Sequence, residues 1–286
     1  MMNQSLTITT IQTNLHWENK TLNLKMLENK ISNIEERTEI VVLPEMFSTG
    51  FSMQPEKLAE TMDGETVQWM KRIAAEKKII VTGSIIIKEM GLTETVRPRY
   101  YNRLIWMLPN GQYGIYDKRH RFAYGGEDAE FTAGSKRLIA SVKGWKLNLL
   151  VCYDLRFPVW SRQTLNSNSL PEKEGELVLP EYDVLVYVAN WPDRRIHVWR
   201  TLLQARAIEN QCYVVGVNRV GDDGNNIHYS GESMIVDPMG EVLYTIKEEE
   251  DIFTIVLNKE HLNSVREKLP FWKDADRFQI LNDDDE

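Results

Sequence analysis

The chain has 286 residues, 42% of them apolar and 27% charged, which is ordinary for a soluble globular protein and suits one large domain or two small ones. Its formal net charge of −8 supplies no basic excess to displace counterions from a nucleic acid, and no apolar run approaches the roughly 20 residues that cross a bilayer. Two cysteines, Cys152 and Cys212, are too few for a disulfide scaffold, and residues 1–5 show no charged n-region or long apolar h-region, so the expected location is the cytoplasm.

Residues 5–13 alternate apolar and polar side chains with β-branched ones, which predicts a strand. Residues 19–33 carry Leu22, Leu24, Met26, Leu27 and Ile31 near helical spacing. Residues 39–43 read as a buried strand that exits at Pro44, which has no N–H for a ladder, and leads into Glu45. A helix is expected over 65–77, with Val67, Met70, Ile73 and Ala74 on one side, and a strong strand over 79–87. Residues 101–108 and 113–116 flank Asn110-Gly111, a hairpin signal. From Lys118 to Gly134 the chain turns polar and glycine-rich, which predicts an irregular loop.

Residues 137–142 and 146–151 form a further strand pair, with a helix starting after Phe157. The polar stretch 166–180, from Asn166 to Pro180, reads as an inserted surface loop. A strand over 184–189 is followed by Asn190-Trp191-Pro192, a helix over 197–209 and a strand over 212–217. Residues 233–236 and 242–244 pair around Asp237-Pro238-Met239-Gly240, and 251–257 is the last strand. The tail 282–286 is acidic and expected to fray. No repeat and no composition shift divides the chain, so residues 1–281 are expected to form one domain. Strands outnumber helices and the longest look buried on both faces, a pattern that fits helices covering two packed sheets.

Leu149-Leu150-Val151 runs into Cys152, with Tyr153-Asp154-Leu155-Arg156 following. An apolar run of that kind delivers its last residue at a strand edge, and a corner leading into a helix favours a thiolate. A lone cysteine there is more often a small buried apolar residue. Two other polar residues share the placement: Glu45 follows Ile40-Val41-Val42-Leu43-Pro44, and Lys118 follows Gly114-Ile115-Tyr116-Asp117. If those strands are neighbours, the three side chains meet at one rim. Together they make chemical sense. A cysteine is the nucleophile, a buried glutamate takes its proton, and a lysine supports the thiolate and the oxyanion with a backbone N–H beside the nucleophile. The matching reaction is acyl transfer from an amide or nitrile carbon, with loss of ammonia and hydrolysis of a thioester.

Leu43-Pro44-Glu45-Met46-Phe47, Tyr116-Asp117-Lys118-Arg119-His120 and Cys152-Tyr153-Asp154-Leu155-Arg156-Phe157-Pro158 resemble the three catalytic motifs of the nitrilase (carbon–nitrogen hydrolase) superfamily. The resemblance runs from the first strand to about Phe278. It implies an α/β fold, the αββα four-layer sandwich of nitrilase type, usually dimeric. It also implies general-base, lysine and nucleophile roles for Glu45, Lys118 and Cys152. The family's second glutamate stands seven residues before a glycine, a position filled here by Glu127 before Gly134, with Glu130 the weaker competitor. Residues 152–162, Ala189-Asn190-Trp191-Pro192, residues 204–211 and Lys268-Leu269-Pro270-Phe271-Trp272 are similar to the bacterial omega-amidase branch. That branch implies hydrolysis of the terminal amide of 2-oxo acids such as 2-oxoglutaramate and 2-oxosuccinamate, as after the transamination that ends methionine salvage. The stretch 166–180 departs from that branch.

A 2-oxo acid needs a carboxylate anchor, for which Arg194 and Arg195 are the candidates, with Trp191 as an apolar wall and Tyr153 giving its backbone N–H to the oxyanion. Arg156 is expected to be structural, pairing with an acid such as Asp154. Cys212 reads as core. The five histidines are scattered with no ligand spacing on one helix face, and residues 221–225 lack a calcium loop's carboxylates, so neither metal nor cofactor is expected. The expected partners are a small-molecule amide and a second copy of the chain, with no nucleic acid and no membrane. The alternatives are hydrolysis of a nitrile, aliphatic amide or N-carbamoyl compound, a catalytically idle binding protein of the same fold, and a Cys/His hydrolase pairing Cys152 with His120.

Overall fold

The computed structural model describes residues 5–91, 97–163, 180–276 and 278–280. The stretch 166–179 and the acidic tail 282–286 lie outside them. In chain order the first half runs β1 (Ser5–Gln12), α1 (Lys20–Ser32), β2 (Ile40–Val42), α2 (Pro55–Leu58), α3 (Glu65–Lys77), β3 (Ile80–Glu89), β4 (Arg99–Met107), β5 (Tyr113–Asp117) and α4 (Glu127–Glu130). The second half runs β6 (Leu138–Val142), β7 (Trp145–Val151), α5 (Pro158–Ser161), β8 (Val184–Ala189), α6 (Ile196–Asn210), β9 (Tyr213–Asn218), β10 (Val220–Asp222), β11 (His228–Val236), β12 (Val242–Lys247), β13 (Asp251–Asn258) and α7 (Lys259–Lys268).

Two mixed sheets result. One has the order β13-β1-β2-β3-β4-β5, the other β10-β11-β9-β8-β7-β6 with β12 added against β11. Period-two side chains explain why they stack. In β2, Ile40 and Val42 face the other sheet in one core with Leu147, Leu149 and Val186, while Val41 faces out into a second core. That second core holds Leu24, Leu27 and Ile31 of α1 and Val67, Met70 and Ile73 of α3, so these two helices cover the first sheet. Trp199, Leu203 and Ala207 of α6 join the first core, covering the other sheet. The layers therefore run helix, sheet, sheet, helix, as the motif resemblance implied.

Asn19 caps α1 by accepting the Leu22 N–H at 3.1 Å, which fixes the start that apolar spacing alone leaves open. Three elements differ from the sequence reading. The loop after Lys118 is not wholly irregular, because a one-turn helix begins at Glu127. Residues 221–225 lie at the turn of a hairpin not anticipated from the sequence, with β10 pairing antiparallel to β11. Helix α7 was not anticipated; Leu262 and Val265 give it a buried stripe and Asn258 caps it through the His261 N–H at 3.0 Å.

Candidate active site

Parallel pairing of β1-β2-β3 and of β7-β8-β9 sends several strand ends to the same rim. β2 leads through Leu43 and Pro44 to Glu45, β7 ends at Cys152 and β8 at Asn190, while the hairpin strand β5 ends at Lys118. Local packing seats each corner. Gly83 has no side chain because a Cβ there would lie 2.7 Å from Phe47 and 2.9 Å from Leu43, so the turn carrying Glu45 can press against β3. Ser84 then accepts the Met46 N–H on its Oγ at 2.9 Å. Gly134 plays the same part for Glu127, since a Cβ there would sit 2.0 Å from the Asp117 carbonyl; the bare backbone instead returns and donates to Lys118 O at 3.1 Å.

Lys118 lies buried between two buried carboxylates. Its Nζ donates to Glu45 Oε1 at 2.9 Å and to Glu127 Oε1 and Oε2 at 3.0 and 2.8 Å. Asn102 on β4 donates from Nδ2 to Glu45 Oε1 at 2.8 Å and Glu127 Oε1 at 3.2 Å. Glu45 Oε2 accepts the Asn190 N–H at 2.9 Å, and Asn190 Nδ2 donates to the Glu45 carbonyl at 2.6 Å, tying the two sheets together. Glu127 Oε2 also accepts the Phe122 N–H at 2.6 Å. Burial alone would lower the Lys118 ammonium's proton affinity. The charges of Glu127 and Glu45 outweigh it and hold the group above the ordinary lysine range. Burial pushes Glu127 above its ordinary value, with Lys118 offsetting part of the rise.

Cys152 has a left-handed φ of 44°, rare for a non-glycine residue, and its Sγ lies 3.9 Å from the Asn190 carbonyl. The corner is held by Asp154. Its Oδ2 accepts from the Tyr116 hydroxyl at 2.7 Å and the Val151 N–H at 3.0 Å, and its Oδ1 accepts the His120 N–H at 3.0 Å. Burial and the charge of Glu45 push the Cys152 thiol well above its usual range, and Lys118 offsets only part. The expectation that a helix end stabilises a resting thiolate is therefore not met. Cys152 opens a single 3-10 turn, residues 152–156, rather than a long helix. The cluster suits a resting thiol whose proton leaves during attack.

Glu45, Lys118, Glu127 and Cys152 are thus brought together, whereas Glu130 is exposed to solvent. A cavity of about 260 Å³ opens over the thiol. Lys118, Cys152, Tyr153, Trp191, Arg194 and Arg195 all line it, so each substrate-side candidate falls on one wall or another. Arg195 lies 5.1 Å from the Phe122 ring centre. Arg156 corrects the sequence reading. Asp154 is occupied by Tyr116, His120 and the backbone, and Arg156 instead lines the cavity with its guanidinium 5.1 Å from the Trp191 ring centre. His120 Nδ1 lies 2.8 Å from Asp154 and its ring stacks on Phe157 at 3.8 Å, which assigns it to the corner rather than to the sulfur. Cys212 is fully buried in the core, as expected. Asn102 was overlooked; it stands beside Arg103 at the polar start of a strand that turns apolar only from Leu104 to Met107. Among the described residues, no group of three or more His, Cys, Asp or Glu side chains is arranged to hold a metal.

The carbon-nitrogen hydrolase family model matches residues 7–267. An omega-amidase, YafV, of Escherichia coli strain K12 is 39% identical over 277 residues, covering 96% of this chain and 98% of that one. A 2-oxoglutaramate amidase of Bacillus subtilis strain 168 is 31% identical over 272 residues, 94% and 96% of the two chains. The crystal structure of a CN-hydrolase superfamily protein from Xanthomonas campestris, with an arsenic adduct in its active site, superposes with a TM-score of 0.87. It is 38% identical and covers 97% of this chain and 99% of that one.

Proposed function

This chain belongs to the carbon–nitrogen hydrolase family and is an amidohydrolase; from that premise we propose that it is an omega-amidase, releasing ammonia from the terminal amide of 2-oxo dicarboxylic acid monoamides. One observation carries the substrate assignment. Three guanidinium groups, Arg156, Arg194 and Arg195, line the same small cavity as Cys152 and Lys118. Burial and the neighbouring cations Arg194 and Arg156 lower the proton affinity of Arg195, the mark of positive charge short of a partner. A substrate with a carboxylate at one end and an amide at the other fits both ends. The E. coli and B. subtilis relatives, by their names, support the same substrate class.

The reaction follows from the cluster. Cys152 Sγ attacks the amide carbon while Glu45 takes the thiol proton, and the Lys118 ammonium donates to the developing oxyanion. Collapse breaks the C–N bond; the proton held by Glu45 goes to the leaving nitrogen, which departs as ammonia and leaves a thioester. Glu45 then takes a proton from water as its oxygen attacks. The second collapse returns that proton to the sulfur and releases the acid. Glu127 anchors Lys118 throughout. The test is kcat/KM for 2-oxoglutaramate against a neutral aliphatic amide of similar length. A preference of about 10²-fold or more, consistent with a charge-assisted carboxylate contact, should shrink in Arg156→Leu. Equal turnover of both amides would remove the carboxylate-recognition argument.

A further inference from the structure

We propose that Asn102 is a positioning residue for the reaction. It ties Glu45 to Glu127 through one amide nitrogen without adding charge, and so fixes the Glu45 carboxylate beside Lys118. The geometry is a double bridge. Glu45 Oε1 and Glu127 Oε1 each accept from the same two donors, Lys118 Nζ at 2.9 and 3.0 Å and Asn102 Nδ2 at 2.8 and 3.2 Å. An amide nitrogen has two N–H bonds, one for each carboxylate. The Lys118 ammonium has three, and its three contacts all go to the same two carboxylates.

The orientation of Asn102 is fixed, because turning its amide over would point a carbonyl oxygen at two carboxylates. That orientation leaves Asn102 Oδ1 buried and without a partner. Orphaned buried acceptors are costly, and most proteins avoid them. The side chain is 1% exposed on β4. Retention of the amide is explained by its donor side. Without it, two like charges would share Lys118 alone.

The groups that face Glu45 are Lys118, Asn102, Glu127, Cys152 and the Asn190 backbone N–H. Loss of the Asn102 donor removes one of the hydrogen bonds that hold the Glu45 carboxylate in place. The inference rests on Glu45 acting as the base in the proposed reaction, but not on which amide is the substrate.

The experiment measures kcat and KM from pH 5 to 9 for the full chain, with Asn102→Leu, Asn102→Asp and Glu45→Gln. For Asn102→Leu, kcat should fall about 10- to 100-fold, the worth of one hydrogen bond to a charged group, with KM changed by less than about threefold. Asn102→Asp keeps the shape, removes the donor and serves if the leucine variant fails to fold; its kcat should fall at least as far. Unchanged kcat in both variants, or a rise in KM alone, overturns the inference while Glu45→Gln remains dead. Activity in Glu45→Gln would overturn the parent reading and this inference with it.

Discussion

The molecule contains two buried charge clusters that are mirror images in sign. At the cavity, the Lys118 cation lies between the Glu45 and Glu127 carboxylates. On another face, the Asp183 carboxylate lies between the cations Lys259 and Arg266. In the second cluster Arg266 also donates to Gln211 O at 2.9 Å and Tyr182 O at 2.7 Å, and Lys259 sits 4.7 Å from the Trp145 ring centre. Both clusters border a cavity. The first adds Cys152, held in a left-handed backbone with its sulfur on the cavity wall. Buried ion pairs occur in both, so burial and pairing alone do not mark a functional site. The nucleophile on the cavity wall separates them.

Substitutions at the two clusters should therefore fail in different ways. The largest effect is expected at the nucleophile: Cys152→Ala should lose essentially all ammonia release, by about 10³-fold or more, with an unfolding midpoint close to the parent chain. Next comes Glu45→Gln, for which kcat should fall about 10²- to 10⁴-fold in steady-state assays while circular dichroism stays native. At the second cluster, Arg266→Met should do the opposite. Urea unfolding should show a loss of about 2 kcal/mol from the missing charge-assisted hydrogen bonds, with Lys259 still facing Asp183, and kcat/KM should stay within about twofold. A large loss of activity in that variant without loss of stability would break the contrast.

The smallest effects concern the thiols and pH. Burial pushes the Cys212 thiol up to about 12. Its folded value lies above the unfolded one, so its stabilisation is complete below the ordinary thiol range and is lost as pH rises through it. From about pH 8.5 upward the unfolded chain releases this proton first, which costs about 1–2 kcal/mol by pH 10. Cys212→Ala should flatten that alkaline decline in a series of unfolding curves. The Cys152 thiol is also raised, so iodoacetamide inactivation should keep accelerating above pH 9. A plateau below pH 8 would mean a resting thiolate.

Legibility in the sequence follows how local each signal is. Glu45, Lys118 and Cys152 could be picked out because each follows a strand and interrupts an apolar or turn context, a pattern within ten residues of itself. Glu127 came only through its spacing to Gly134, whose physical reason, the close approach to the Asp117 carbonyl, is visible only in three dimensions. Asn102 and Asn190 meet Glu45 across 57 and 145 residues, so no local pattern announces them. Arg156 was misread for the same reason. Its neighbour Asp154 looked like a partner, but Tyr116 and His120 arrive from another strand end and claim it. Helix α7 was hidden by its charge, and the β10–β11 hairpin by its glycines and aspartates.

The central claim is that Cys152, served by Glu45 and Lys118, releases ammonia from the amide of a small 2-oxo acid. The most direct test is ammonia release from 2-oxoglutaramate, with glutamine and a simple nitrile alongside, for the parent chain and Cys152→Ala. The account predicts rapid release from the oxo acid, far slower release from the other two, and none in the variant. Equal release from all three compounds would contradict the substrate assignment, and release that survives Cys152→Ala would contradict the mechanism.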